Sequence, residues 1–163
     1  MKQKKSVEPS QNPRAVYNIT GVSGEYFAAA ELSRRGWIAV LTLKNTPNID
    51  LIATTPDGSR TVNIQVKTRS VGNRKGWILT KGIETIVPGN NFYIVFVDLQ
   101  GIDSKPDYYI IPKNLFAEWV AKGHQDWLAA PGRNGRVHVD NPIRNFEKTQ
   151  FHVFEKYHNN WDI

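Results

Sequence analysis

A chain of 163 residues with 40% hydrophobic content and five tryptophans can bury roughly two-thirds of its unfolded surface in one core. It contains no cysteine, which excludes disulfides, thiolate zinc sites and cysteine nucleophiles. A formal charge of +6 suits an anionic partner such as nucleic acid, although a modest basic excess also occurs without one.

The opening Met1-Lys2-Gln3-Lys4-Lys5 leads into no apolar run, so no secretory signal is read there. No apolar stretch approaches the roughly 18 residues of a membrane helix. The expectation is a soluble cytoplasmic protein, with a flexible basic arm over 1–15 and one domain over 16–163. The arm is read either as a phosphate contact or as an idle end.

Residues 21–35 read as a helix closed by Gly36 after Arg34 and Arg35. Glu25, Ala28, Ala29 and Leu32 share one stripe of it, apolar except at Glu25. Two readings of Glu25 stand, a first-turn acid complementing the helix dipole or a member of an inward-facing site. Residues 37–44 read as a largely buried strand, and Asn45-Thr46-Pro47-Asn48 as a turn.

The next stretch alternates on both sides of Pro56-Asp57-Gly58-Ser59, which marks a hairpin. A two-residue Asp57-Gly58 turn pairs residues whose numbers add to 115, and sets Asp50 opposite Gln65. Opposed residues share a face, with Cβ atoms roughly 4.5–5.5 Å apart. Lys67 returns to that face, while Val66 points to the other with Ile49, Leu51, Ala53, Val62 and Ile64. The face holding Asp50, Ile52, Asn63, Gln65 and Lys67 is either simply solvated or a partly covered functional patch.

Residues 68–76 read as a mobile basic loop holding Arg69, Arg74 and Lys75, which either clamps a phosphate backbone or is ordinary solvated surface. Residues 77–79 begin a short strand, and 92–99 read as a central strand buried on both faces. After a further strand at 108–111, Pro112 opens a helix to about Lys122, stopped by Gly123. Leu115, Phe116, Trp119 and Val120 form its packing stripe, so Trp119 reads as core. Residues 123–140 read as irregular, with Arg133 and Arg136 as candidate phosphate contacts, and 145–158 as a last helix. The four histidines show no paired metal-ligand spacing.

The Glu25 helix, the following strand, Pro47-Asn48-Ile49-Asp50 and Gln65-Val66-Lys67-Thr68 together resemble the PD-(D/E)XK nuclease superfamily. This superfamily contains many restriction enzymes, Holliday-junction resolvases and some intron homing endonucleases. The resemblance spans residues 21–68. It implies an α/β fold with an αβββαβ core and a mixed central sheet flanked by helices. It implies metal ligation by Asp50, Gln65, the Val66 carbonyl and Glu25, with Lys67 orienting or activating the attacking water. Glu25, Asp50, Gln65 and Lys67 are thereby the catalytic set. Lys44, Arg69, Arg74 and Lys75 are the candidate nucleic-acid contacts. Gln65 departs from the commoner Glu/Asp at its position, though an intron homing-endonuclease branch uses glutamine there. An amide oxygen ligates without adding negative charge.

The expected cofactor is Mg²⁺, with Mn²⁺ as a substitute, because hard cations take oxygen ligands and Mg²⁺ retains several waters. The function read from the sequence is a metal-dependent endonuclease hydrolysing DNA phosphodiester bonds. The alternatives are a nuclease-fold protein that binds nucleic acid without cutting, and a subunit of a larger assembly. DNA is the expected partner, no membrane is, and self-association as a homo-oligomer stays open.

Overall fold

The computed structural model describes residues 13–43, 46–70 and 76–163. Helix α1 (Pro13–Ser33) leads into strands β1 (Ile38–Leu41), β2 (Leu51–Thr54) and β3 (Thr61–Arg69). Strand β4 (Gly76–Thr80) and a 3-10 helix (Lys81–Glu84) follow, then β5 (Phe92–Asp98) and β6 (Asp107–Pro112). Helix α2 (Lys113–Ala129), a short 3-10 turn (Arg133–Gly135), β7 (Ile143–Glu147) and a 3-10 helix (Lys148–Tyr157) complete the order.

A five-stranded sheet runs β1-β2-β3-β5-β6, and β4 pairs with β7 in a separate two-stranded sheet. β3 and β5 are parallel while the other pairs are antiparallel, so the central sheet is mixed. The expected fold class, a mixed sheet flanked by helices, is what forms. The second long helix follows β6, and β4 with a 3-10 helix occupies the crossover between β3 and β5.

Period-two alternation divides the core in two. Leu51, Ala53, Val62, Ile64, Val66, Val95 and Val97 pack beneath Ala28 and Leu32 of α1. Ile94 and Phe96 face the other way, toward Trp77, Phe116, Phe146 and Phe154. β5 is therefore buried on both faces, as its continuous apolar run requires. Lys113 is buried at the start of α2, and its ammonium donates to the carbonyls of Ile83 at 2.6 Å and Thr85 at 2.7 Å.

Several boundaries differ from those read in the sequence. α1 begins at Pro13, a residue compatible with the first helical turn, and runs through Gly21 and Gly24. Gly24 is needed there because a Cβ would overlap the side chain of Thr68 on β3. The glycine stop forms as expected. Gly36 has φ +89°, its N–H donates to Ser33 at 3.0 Å, and the Trp37 N–H returns to Leu32 at 3.1 Å. β1 is an edge strand, with Ile38 50% and Val40 54% exposed, and is not largely buried. α2 passes through Gly123 to Ala129, so that glycine is no stop. Residues 145–158 are not one helix, because the first of them complete β7, which pairs with β4.

The β2–β3 register is the expected one, with Leu51 opposite Ile64 and Thr54 opposite Thr61. The turn differs. Thr55 N–H donates to Arg60 at 2.9 Å, so residues 56–59 make a four-residue loop. Within it, the Gly58 N–H donates to Thr55 at 2.9 Å and Gly58 takes φ +70°. Lengthening a hairpin loop by one residue on each side leaves the pairing unchanged, which is why the register holds.

Candidate functional site

Asp50 lies immediately before β2, where its main chain is fixed from both sides. Its N–H donates to Ile64 at 2.8 Å and its carbonyl accepts from Thr42 at 3.0 Å. Asp50 and Leu51 thus both lie against Ile64, so the alternation of β2 does not extend to Asp50. Gln65 and Lys67 share the other face of β3, because Ile64 and Val66 belong to the core beneath α1.

Beyond the first residue of β2, β3 has no paired strand on that side among the described residues. The Asp50 carboxylate fills the gap, with Oδ2 accepting the Val66 N–H at 2.7 Å. N–H and C=O of one strand residue point to the same side, so the Val66 carbonyl also opens toward Asp50. Gln65 is only 7% exposed. Its Nε2 donates to Oδ1 of Asn48 at 3.5 Å. Among the described residues, the second Asp50 oxygen, the Gln65 oxygen and the Lys67 ammonium carry no hydrogen bond or ion pair.

This donor set fits a hard cation that keeps part of its water: one carboxylate oxygen, one amide oxygen and one main-chain carbonyl, all neutral or anionic oxygen. It does not make a carboxylate-rich cage. No cluster of three His, Cys, Asp or Glu residues capable of holding a metal occurs among the described residues.

Glu25 is half-buried, one residue beyond Gly24. Gly24 is where α1 meets Thr68, and Thr68 Oγ1 donates to the Gly21 carbonyl at 3.4 Å. A cleft of about 180 Å³ opens beside that contact, lined by Gly21, Val66, Lys67, Thr68 and Trp77 among others. The helix thus approaches β3 one residue from Lys67.

Arg69 is placed differently from its reading as a phosphate contact. It is 3% exposed and forms an ion pair with Asp98, which is 8% exposed, across β3 and β5. Its guanidinium lies 4.8 Å from the Trp77 ring centre and 5.3 Å from that of Phe151. A side chain so enclosed offers almost no surface to a phosphate. Lys44, Arg74 and Lys75 lie outside the described residues. Arg133 and Arg136 are exposed.

Two features escaped sequence reasoning. Asn48 was read as a turn residue and as part of the Pro47-Asn48-Ile49-Asp50 stretch, with no role of its own, although its side chain meets Gln65. His124, Trp127, His138 and Asp140 form one connected group. His124 Nε2 meets Asp140 Oδ1 at 2.7 Å, and His138 stacks on Trp127 with ring centres 4.1 Å apart. His124 and Trp127 are one helical turn apart on α2, but no spacing links them to His138 and Asp140, so the sequence carries no signal for that meeting.

No family model matches the chain, and comparison with curated proteins also gives no match. Among solved structures, the chain is similar to the bacterial homing endonuclease I-Ssp6803I, at 14% identity and a TM-score of 0.45. That alignment covers 85% of this chain and 93% of the other. It is also similar to Hjc, a Holliday junction resolvase from Archaeoglobus fulgidus, at 14% identity and a TM-score of 0.44. There the coverage is 82% of this chain and 88% of the other. Among the described residues no helix is long and apolar enough to cross a membrane.

Proposed function

We propose that the chain is a Mg²⁺-dependent endonuclease acting on DNA phosphodiester bonds. The observation that carries the reading is the hydrogen bond from the Val66 N–H to the Asp50 carboxylate, which brings Asp50 against the Gln65-Val66-Lys67 stretch of β3. Asp50, Gln65 and the Val66 carbonyl are the residues that would hold the cation. When bound, the cation supplies Lewis acidity toward a phosphate oxygen and a bound water. Asp50 contributes the anionic ligand and Gln65 a neutral one. Lys67 orients the attacking water and offsets charge that builds on the phosphate, an effect strongest where water is excluded. The net charge of +6 favours approach of the polyanion.

A second reading, a protein of this fold that binds nucleic acid without cutting, draws on Gln65. An amide at that position lowers the ligand charge, and no acid-rich cluster occurs among the described residues. Incubation of the purified protein with supercoiled, linear and branched DNA, in Mg²⁺ or in chelator, separates the two. Cleavage in Mg²⁺ alone supports the nuclease. Salt-sensitive binding without cleavage supports the second reading.

A further inference from the structure

We propose that Asn48 is a positioning residue that holds the oxygen end of the Gln65 amide toward the cation. The inference rests on the metal-site reading above and adds to it a residue that acts through Gln65.

The argument starts from the chemistry of an amide. Its oxygen ligates a hard cation, whereas its NH₂ group has no available lone pair and repels one. The terminal torsion of glutamine is broad and two-fold, so nothing intrinsic to Gln65 selects the oxygen. A carboxylate has no such difficulty, because either end ligates. A glutamine ligand therefore needs a partner that recognises its nitrogen.

Asn48 is that partner. Its Oδ1 accepts from Gln65 Nε2 at 3.5 Å, which leaves Oε1 turned away from the asparagine. The backbone supports the same role independently. Asn48 sits in the left-handed region at φ 60°, a conformation that asparagine tolerates better than most residues and that recurs where geometry serves a site. Two residues on, Asp50 is pinned through both its main chain and its carboxylate. The short Pro47-Asn48-Ile49-Asp50 segment thus presents one ligand directly and orients the other. Gln65 is 7% exposed, so its NH₂ has little access to water as a substitute acceptor.

The test is a cycle of four proteins read by Mn²⁺ binding without DNA, using the electron paramagnetic resonance signal of free Mn²⁺. The proteins are the wild type, Asn48→Gly, Gln65→Glu and the double variant. Glycine is chosen because it keeps the positive φ while removing the side chain. The apparent dissociation constant rises as the oxygen-inward fraction falls. Asn48→Gly is expected to weaken Mn²⁺ binding by about 3- to 10-fold, the range of one neutral hydrogen bond. With Gln65→Glu in the same chain, Asn48→Gly is expected to change binding less than about two-fold, since a carboxylate needs no orientation. Asn48→Ala, compared with Asn48→Gly by thermal melting, separates backbone strain from loss of the side chain. Wild-type binding left unchanged by Asn48→Gly overturns the inference alone. An equal loss in both backgrounds overturns it too, by assigning Asn48 to the turn and not to the amide. Absence of Mn²⁺ binding by the wild type overturns the metal-site reading, and the inference with it.

Discussion

The guanidinium of Arg69 is joined to the carboxylate of Asp98 beneath the rings of Trp77 and Phe151. The pair ties β3 to β5 two residues beyond Lys67, at the edge of the candidate site. Breaking a buried pair costs more than the pair itself contributes, because one charge remains enclosed. Asp98→Asn is expected to lower stability by about 3–5 kcal/mol in urea denaturation. A loss below about 1 kcal/mol, the range of surface pairs, would show that water reaches the guanidinium.

Gly24 tests how tightly α1 is seated. In an open helix, glycine to alanine is stabilising by about 1 kcal/mol. Here a Cβ would overlap Thr68, so Gly24→Ala is expected to destabilise by about 1–3 kcal/mol despite the better helix propensity. Adding Thr68→Ala removes the hydroxyl and methyl that are struck and should recover part of the loss. A stabilising Gly24→Ala would mean that α1 does not approach β3 so closely.

The Asp140 carboxyl is held down from 3.8 to about 2, chiefly by its hydrogen bond with His124 and then by Lys81. A carboxyl depressed in the folded state contributes stability above its unfolded value, and that contribution fades as pH falls through the folded value. Thermal melting between pH 5 and pH 2 should therefore fall more steeply in the wild type than in Asp140→Asn. Asp57, held at about 2 by the hydroxyl of Thr55 and by Ser59, is present in both proteins and cancels from the comparison. Parallel curves would remove Asp140 from the acid response.

The strands were legible because their faces differ in polarity. Leu51, Ala53, Val62 and Ile64 alternate with polar neighbours, and the same alternation gave the β2–β3 register through a loop longer than the one read. β7 was not legible because its inward positions are Arg144 and Phe146, and the arginine is buried through its ion pair with Glu84. Residues 145–158 keep helical spacing, and nothing in the sequence shows that Arg144 turns inward to Glu84, a partner distant in the chain. Arg69, read by its charge as a phosphate contact, is enclosed through its pair with Asp98 on a strand distant in sequence. Gly123 was read as a helix stop, yet the helix continues to Trp127, which lies between the rings of His124 and His138. At the candidate site, the shared face of Gln65 and Lys67 on β3 could be read from the pattern. The Asp50 bond to Val66 could not, since it depends on where β2 begins.

The central claim is that Asp50 anchors a metal-dependent cleavage site, and cleavage of DNA by wild type and Asp50→Asn across a Mg²⁺ titration tests it most directly. Thermal melting of both proteins serves as the control for folding. The account predicts Mg²⁺-dependent strand cleavage by the wild type, abolished by chelator. It predicts a loss of at least about 100-fold in Asp50→Asn, the scale of removing an electrostatic contact made in the transition state. Cleavage by Asp50→Asn at the wild-type rate and the same Mg²⁺ requirement would contradict it.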